Sequence, residues 1–199
     1  MKKYESWELK EDIVEFINAQ SIGILIISGA SGSGKSYLSS YIDEHYDNIR
    51  IIKTYTTRKK RINDDKSMVF LKIDEFKLSL KNEDFFLWGS NNDIFYGYKK
   101  DELVDIFNNY QIPLFMFHYE ALEKLIKKLN NLYVIFIHGS YKKLHGEGVD
   151  LHKYIYDTEK NNSLQEKIRK KTECISVENN YDEKLLNNKK IAEFLKKMI

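Results

Sequence analysis

Residues 29–36 read Gly29-Ala30-Ser31-Gly32-Ser33-Gly34-Lys35-Ser36, which satisfies G-x-x-x-x-G-K-[ST]. Glycines at this spacing let a backbone turn with its amides facing inward, forming a nest for phosphate oxygens. A helix opening near Lys35 adds its N-terminal partial positive charge. The Lys35 ammonium then reaches the β and γ phosphates, and the Ser36 hydroxyl meets a magnesium ion. The bland alternative is a flexible Ser/Gly linker. A dinucleotide G-x-G-x-x-G site is disfavoured, because Lys35-Ser36 closes the motif.

A second set of candidates comes from a bias in the basic residues. Of 32 Lys and Arg, four are arginine: Arg50, Arg58, Arg61 and Arg169. A rigid fork for phosphate is the property lysine cannot supply. Arg58 and Arg61 stand three apart beside Lys59 and Lys60, so they form either a phosphate clamp or a solvated basic stretch. His118 reads as a core histidine before it reads as a catalyst. His138, His145 and His152 lack paired metal spacing, and Cys174 reads as a small core residue.

These residues need elements to hold them. Residues 22–27 form a continuous apolar run, which suits a strand buried on both faces. Residues 35–46 have helical periodicity through Leu38, Tyr41 and Ile42. Strand, glycine loop and helix in succession imply a parallel α/β architecture. Residues 112–118 and 132–138 read as further core strands, with a helix at 120–129 between them. Residues 174–177 read as a last strand, and 181–198 as a final helix. Residues 6–19 read as an N-terminal helix carrying Trp7, Ile13, Val14, Phe16 and Ile17. Residues 53–98 alternate in short aromatic pieces, as a small β-rich subdomain would. Residues 145–162 are polar and read as an irregular flap.

The 199 residues suggest one domain, or one domain with an insertion. At 42% hydrophobic and 14% aromatic, the chain is not mostly disordered. A net charge of +2 gives little reason to expect a nucleic-acid partner. One cysteine excludes an internal disulfide and a thiolate metal site. With no apolar leader and no apolar run near 18 residues, a signal peptide or membrane span is not expected, and the expected place is the cytoplasm.

The order of the motifs resembles guanylate kinase. After the strand, loop and helix come Thr54-Tyr55-Thr56-Thr57-Arg58-Lys59-Lys60-Arg61, similar to the family's S-x-T-T-R-x-x-R. Phe70 through Phe76 resembles its Y-x-F-x-x-x-x-x-F, and Phe85-Phe86-Leu87-Trp88 its F-x-E-W. Phe95-Tyr96-Gly97 resembles Y-Y-G, Gly146-Glu147-Gly148 the G-R-G of a lid, and residues 175–179 the closing V-I-V-N-D strand. The likeness covers about residues 22–199.

The resemblance implies a P-loop NTPase-type α/β fold: a parallel sheet flanked by helices, a small β-rich acceptor subdomain at 53–98 and a lid at 140–165. Residues 1–20 are then an N-terminal helical extension and 21–199 the family domain. It implies ATP with Mg²⁺ at residues 29–36, with Lys35 and Arg58 as catalytic groups. Thr54, Arg58, Arg61 and Tyr96 would hold the acceptor's phosphate. The expected activity is transfer of the ATP γ-phosphate to a phosphate-bearing acceptor, GMP by family default.

Departures from the pattern keep two rivals in play. Where the family has a glutamate that accepts hydrogen bonds from guanine, this chain has Leu87. Its third-strand carboxylates fall near Met116 and His118, and its tyrosine before the phenylalanine is Met68. The lid arginine is Glu147, and two more lid arginines align with Asp157 and Thr158. Glu83, Asp84 or Asp93 could supply a carboxylate in another register. Lys142, Lys143, Lys153 or Lys160 could supply the lid's charge. One rival is therefore a kinase for a non-guanine acceptor such as a sugar phosphate. The other is a catalytically weak nucleotide-binding module for regulation or phosphoprotein binding.

Overall fold

The computed structural model describes residues 7–62, 64, 66–91, 93–117, 119–139, 151–169, 172–180 and 185–199, without the side chains of 91 and 151. The chain opens with β1 (Glu8–Leu9), α1 (Glu11–Asn18), β2 (Ile24–Gly29) and α2 (Lys35–His45). It continues through β3 (Ile49–Ile51), β4 (Thr54–Thr56), β5 (Met68–Phe70), α3 (Ile73–Lys81), β6 (Phe85–Asn91) and β7 (Ile94–Lys99). Then come α4 (Lys100–Asn108), β8 (Ile112–Phe117), α5 (Tyr119–Leu125) and β9 (Leu132–Gly139). Last are α6 (Leu151–Ile168), β10 (Glu173–Asn179) and α7 (Lys189–Lys196).

Two sheets result. The core sheet has the order β10-β9-β2-β8-β3, and every pairing in it is parallel. Its central strand β2 is buried throughout, as a sheet covered on both faces requires. Alternation divides its side chains. Ile24 and Ile26 join Phe115, Phe117, Val134 and Phe136 on one face, packed by α1, α4, α5 and α6. Leu25 and Ile27 join Leu114, Ile135 and Ile137 on the other, packed by α2 and α7.

The second sheet is mixed, in the order β1-β6-β7-β4-β5. On one face Phe76 of α3 stacks on Phe85, with ring centroids 4.6 Å apart, and packs beside Phe95. The other face sends Leu87 and Tyr98 into the aromatic half of the main core. Tyr98 Oη donates to the Met116 carbonyl at 3.1 Å, which ties this sheet to β8.

Three expectations change. The N-terminal helix does not begin at residue 6: α1 starts at Glu11, and Glu8–Leu9 is a strand paired with β6. Trp7, Glu8 and Leu9 alternate with period two, and β6 offers an open edge to receive them. The small sheet therefore recruits a strand from outside residues 53–98. The final helix is shorter than expected, opening at Lys189 behind the Asn188 cap, whose side chain accepts from the Lys190 amide at 3.0 Å.

The flap is the third change. Its residues from 151 onward form α6 rather than irregular chain. The buried stripe of that helix is Tyr154, Asp157, Asn161, Leu164, Gln165 and Ile168. The spacing is helical, but three of the six are polar, so a search for apolar periodicity passes over it. Residues 140–150, with His145, Lys142, Lys143 and the Gly146-Glu147-Gly148 lid motif, lie outside the described residues, as does His118.

Candidate active site

The glycine loop lies between β2 and α2. Gly32 and Gly34 have φ of 78° and 99°, the left-handed region that glycine enters without strain. The Ser33 amide closes a turn onto the Ala30 carbonyl at 3.2 Å. Asn179, at the end of β10, donates through Nδ2 to the Ser33 carbonyl at 3.0 Å and holds the loop from behind. Lys35 Nζ donates to the carbonyls of Gly29 and Ala30 at 2.7 and 2.8 Å, so the ammonium folds back across its own loop. Burial pulls its pKa down to about 8; Asp157 opposes that shift and Lys153 adds to it.

Ser36 is exposed at the first turn of α2, where a cation-binding hydroxyl has to be. The Ser33 hydroxyl is buried with no partner among the described residues. A turned glycine loop, a lysine across it, an open hydroxyl at the helix start and an orphaned buried hydroxyl fit a triphosphate with its magnesium ion.

The second cluster sits at the end of β4 and β7. Tyr96 opposes Thr56 in the ladder. Thr56 Oγ1 donates to the Phe95 carbonyl at 2.8 Å and accepts from the Arg58 amide at 3.2 Å. Arg58 and Arg61 both act on the Tyr96 phenol, yet burial outweighs them and raises its pKa. Arg58 pairs fork-to-fork with Asp64, with Nη1 to Oδ2 at 2.8 Å, and lies over the Phe70 ring. The same carboxylate accepts from the Arg61 amide at 2.5 Å. Arg58, Arg61 and Tyr96 thus converge. Thr54 stands apart from them, buried two residues before Thr56 on β4.

Asp64 and Thr56 were not singled out from the sequence. A carboxylate six residues beyond an arginine, in a turn, is the signal that could have found Asp64. None of the alternative carboxylates serves the pocket. Glu83 pairs with Lys10 at 3.1 Å, Asp84 pairs with Lys99 at 3.7 Å, and Asp93 occupies the β6–β7 turn with φ of 64°.

Helix α6 brings a third group. Ser28 Oγ donates to Asn161 Oδ1 at 2.9 Å, and Tyr154 Oη donates to the Gly139 carbonyl. These bonds hold α6 against the strands that carry the phosphate loop. Asp157 is 2% exposed, and its Oδ2 has no hydrogen-bond partner among the described residues. Burial raises its pKa, while Lys153 and Lys35 pull it back. Lys153 therefore shares the field of Lys35 and Asp157, whereas Lys160 lies 5.2 Å over the Tyr156 ring.

The family model described as guanylate kinase matches residues 22–199. The chain belongs to the guanylate kinase family. A guanylate kinase of Mycoplasmopsis pulmonis is 27% identical over 115 residues, covering 56% of this chain and 59% of that protein. One from Pseudoalteromonas translucida is 33% identical over 88 residues, covering 43% of each. The chain thus spans about half the length of these relatives. The solved guanylate kinase of Anaplasma phagocytophilum superposes with a TM-score of 0.66 at 17% identity, covering 98% of this chain and 88% of that one. That likeness shows the fold, which is the P-loop NTPase arrangement of this family. No helix among the described residues is long and apolar enough to cross a membrane.

Proposed function

We propose that this family member is an ATP-dependent phosphotransferase. It moves the ATP γ-phosphate to an acceptor that already carries a phosphate, for which GMP is the family default. The single observation that supports this most is the pairing of two anion sites on one molecule. A turned glycine loop with Lys35 lies at one end of the core sheet, and Arg58, Arg61 and Tyr96 converge on the adjoining sheet.

The chemistry needs little from the protein beyond alignment. An oxygen of the acceptor phosphate bonds to the γ-phosphorus, and the bond from that phosphorus to the β–γ bridging oxygen breaks, leaving ADP. The attacking oxygen is already anionic, so no general base is required. Residues 29–34 hold the donor phosphates, and Lys35 stabilises charge on the transferring group. Ser36 would hold a magnesium ion, which would supply neutralisation of phosphate charge when bound. Arg58 and Arg61 grip the acceptor phosphate, with Tyr96 bonding beside them. Asp64 keeps the Arg58 fork aimed. Asp157, aligned with a lid arginine of the family, supports slow turnover, with Lys153 a cation among the described residues that acts on both Lys35 and Asp157.

Calorimetry separates the two sites. Lys35→Ala should abolish binding of ATP with magnesium while sparing the acceptor. Arg58→Lys should weaken acceptor binding by about tenfold while sparing ATP. Equal loss of both ligands in either variant contradicts the assignment.

A further inference from the structure

Beside the phosphate clamp, the small sheet and β8 enclose a space filled by the chain's own N-terminal strand. β1 adds to the free edge of β6, with Glu8 opposite Trp88 and Leu9 opposite Leu87. Continuing that register sets Trp7 opposite Gly89, on the same face as Leu9 and Leu87. The indole lies flat against Gly89: a β-carbon built there would sit 2.7 Å from the Trp7 ring. Only glycine leaves room for it. The Trp7 ring centroid is 6.4 Å from both Tyr98 and Phe117, edge-on to the latter. Tyr98 and Phe117 pack edge-on at 5.0 Å, and Phe115 stacks on Phe117 at 5.1 Å. The space is an aromatic block running from the sheet edge into the core.

Its polar atoms are already engaged. The Tyr98 hydroxyl donates to the Met116 carbonyl at 3.1 Å. Leu87 is fully buried and offers no acceptor. A guanine brought here would have to displace an indole and then leave its N1–H and amino donors unmet. Gly89 opposes Tyr96 in the β6–β7 ladder, so the filled space adjoins the clamp.

We infer that Trp7 closes the base side of the acceptor site, so that the acceptor is a small phosphate ester of the sugar-phosphate class without a purine. This rests on the phosphotransferase reading and narrows its acceptor below the family default. Equilibrium binding of GMP and ribose 5-phosphate to the wild-type chain tests it directly. The inference expects the two to bind within about threefold of each other, since only the phosphate is gripped. Trp7→Ala should tighten GMP by about tenfold or more and leave ribose 5-phosphate unchanged. Wild-type binding of GMP more than about tenfold tighter than ribose 5-phosphate overturns it, as does a folded Trp7→Ala variant with an unchanged ratio. Binding of neither ligand to the wild type also overturns it. The wild-type ratio needs no variant, so the test stands where Trp7→Ala fails to fold. Equal binding without any phosphate transfer would sink the phosphotransferase reading alone. GMP-selective binding with transfer would sink this inference alone.

Discussion

Arg58 and Asp64 face each other fork to fork, with the Nη1–Oδ2 bond at 2.8 Å and both side chains almost wholly buried. The pair fixes the one guanidinium best placed to grip an acceptor. It also makes a carboxylate that resists protonation. The Arg58 hydrogen bonds, aided by the Arg61 amide, hold the Asp64 pKa down to about 2 against the opposing effect of burial.

Acid should therefore loosen the clamp in a defined window. A carboxylate lowered in the folded state contributes stability that is complete above its ordinary pKa of about 4 and is lost as pH falls through about 2. Asp64→Asn should remove that dependence: its unfolding midpoint should fall less between pH 4 and pH 2 than the wild type's. Thermal scans across that range check it, and parallel curves for the two proteins would count against the pairing.

Asp157 titrates the other way. Burial raises its pKa, so the neutral acid is favoured in the fold and stability falls as pH rises through the raised value. The side chain is buried, and its Oδ2 has no hydrogen-bond partner among the described residues. Asp157→Asn should raise the melting temperature at pH 7 by a few degrees, on the scale of about 1 kcal/mol for a chain of this size. The gain should shrink as the pH is lowered towards 4. A variant that melts lower at pH 7 would mean that the charge is needed where it is.

Gly34 should be intolerant. Its φ of 99° is left-handed, and a β-carbon there runs into Asn179 Nδ2, which holds the loop through the Ser33 carbonyl. Gly34→Ala should cost about 1–2 kcal/mol of stability and lower ATP affinity by about tenfold or more. Differential scanning and nucleotide titration read the two effects separately. Unchanged ATP affinity would remove the loop from the binding site.

Lys153 should matter to rate rather than affinity. It lies within the field of Lys35 and Asp157, one helical turn before the latter. Lys153→Ala should lower kcat by roughly tenfold to a hundredfold with KM for ATP little changed, as expected of charge stabilisation in the transition state. Lys153→Arg should restore most of it. Equal activity of Lys153→Ala and wild type would leave the lid's charge with residues elsewhere.

The parallel core was legible because its strands are continuous apolar runs bounded by turn residues, as in residues 22–27. The glycine loop was legible because left-handed turns demand glycine, as at Gly32 and Gly34. Arg58 and Arg61 stood out against a lysine-rich background. Trp7 reads as part of a helix, since the two-residue edge strand it precedes carries too little periodicity to compete with the helical stripe that follows. α6 hid because Asp157, Asn161 and Gln165 form half of its buried stripe. Asp64 hid because its role depends on a turn that returns the chain to Arg58, which no local pattern records.

One measurement tests the central claim most directly. The chain is mixed with γ-labelled ATP, magnesium and a panel of phosphate-bearing acceptors, GMP and sugar phosphates among them. Label should move from ATP to an acceptor phosphate in the wild type, fall by about a hundredfold or more in Lys35→Ala, and fall with acceptor occupancy in Arg58→Lys. Label that stays on ATP with every acceptor, or that moves equally well in Lys35→Ala, would contradict the account.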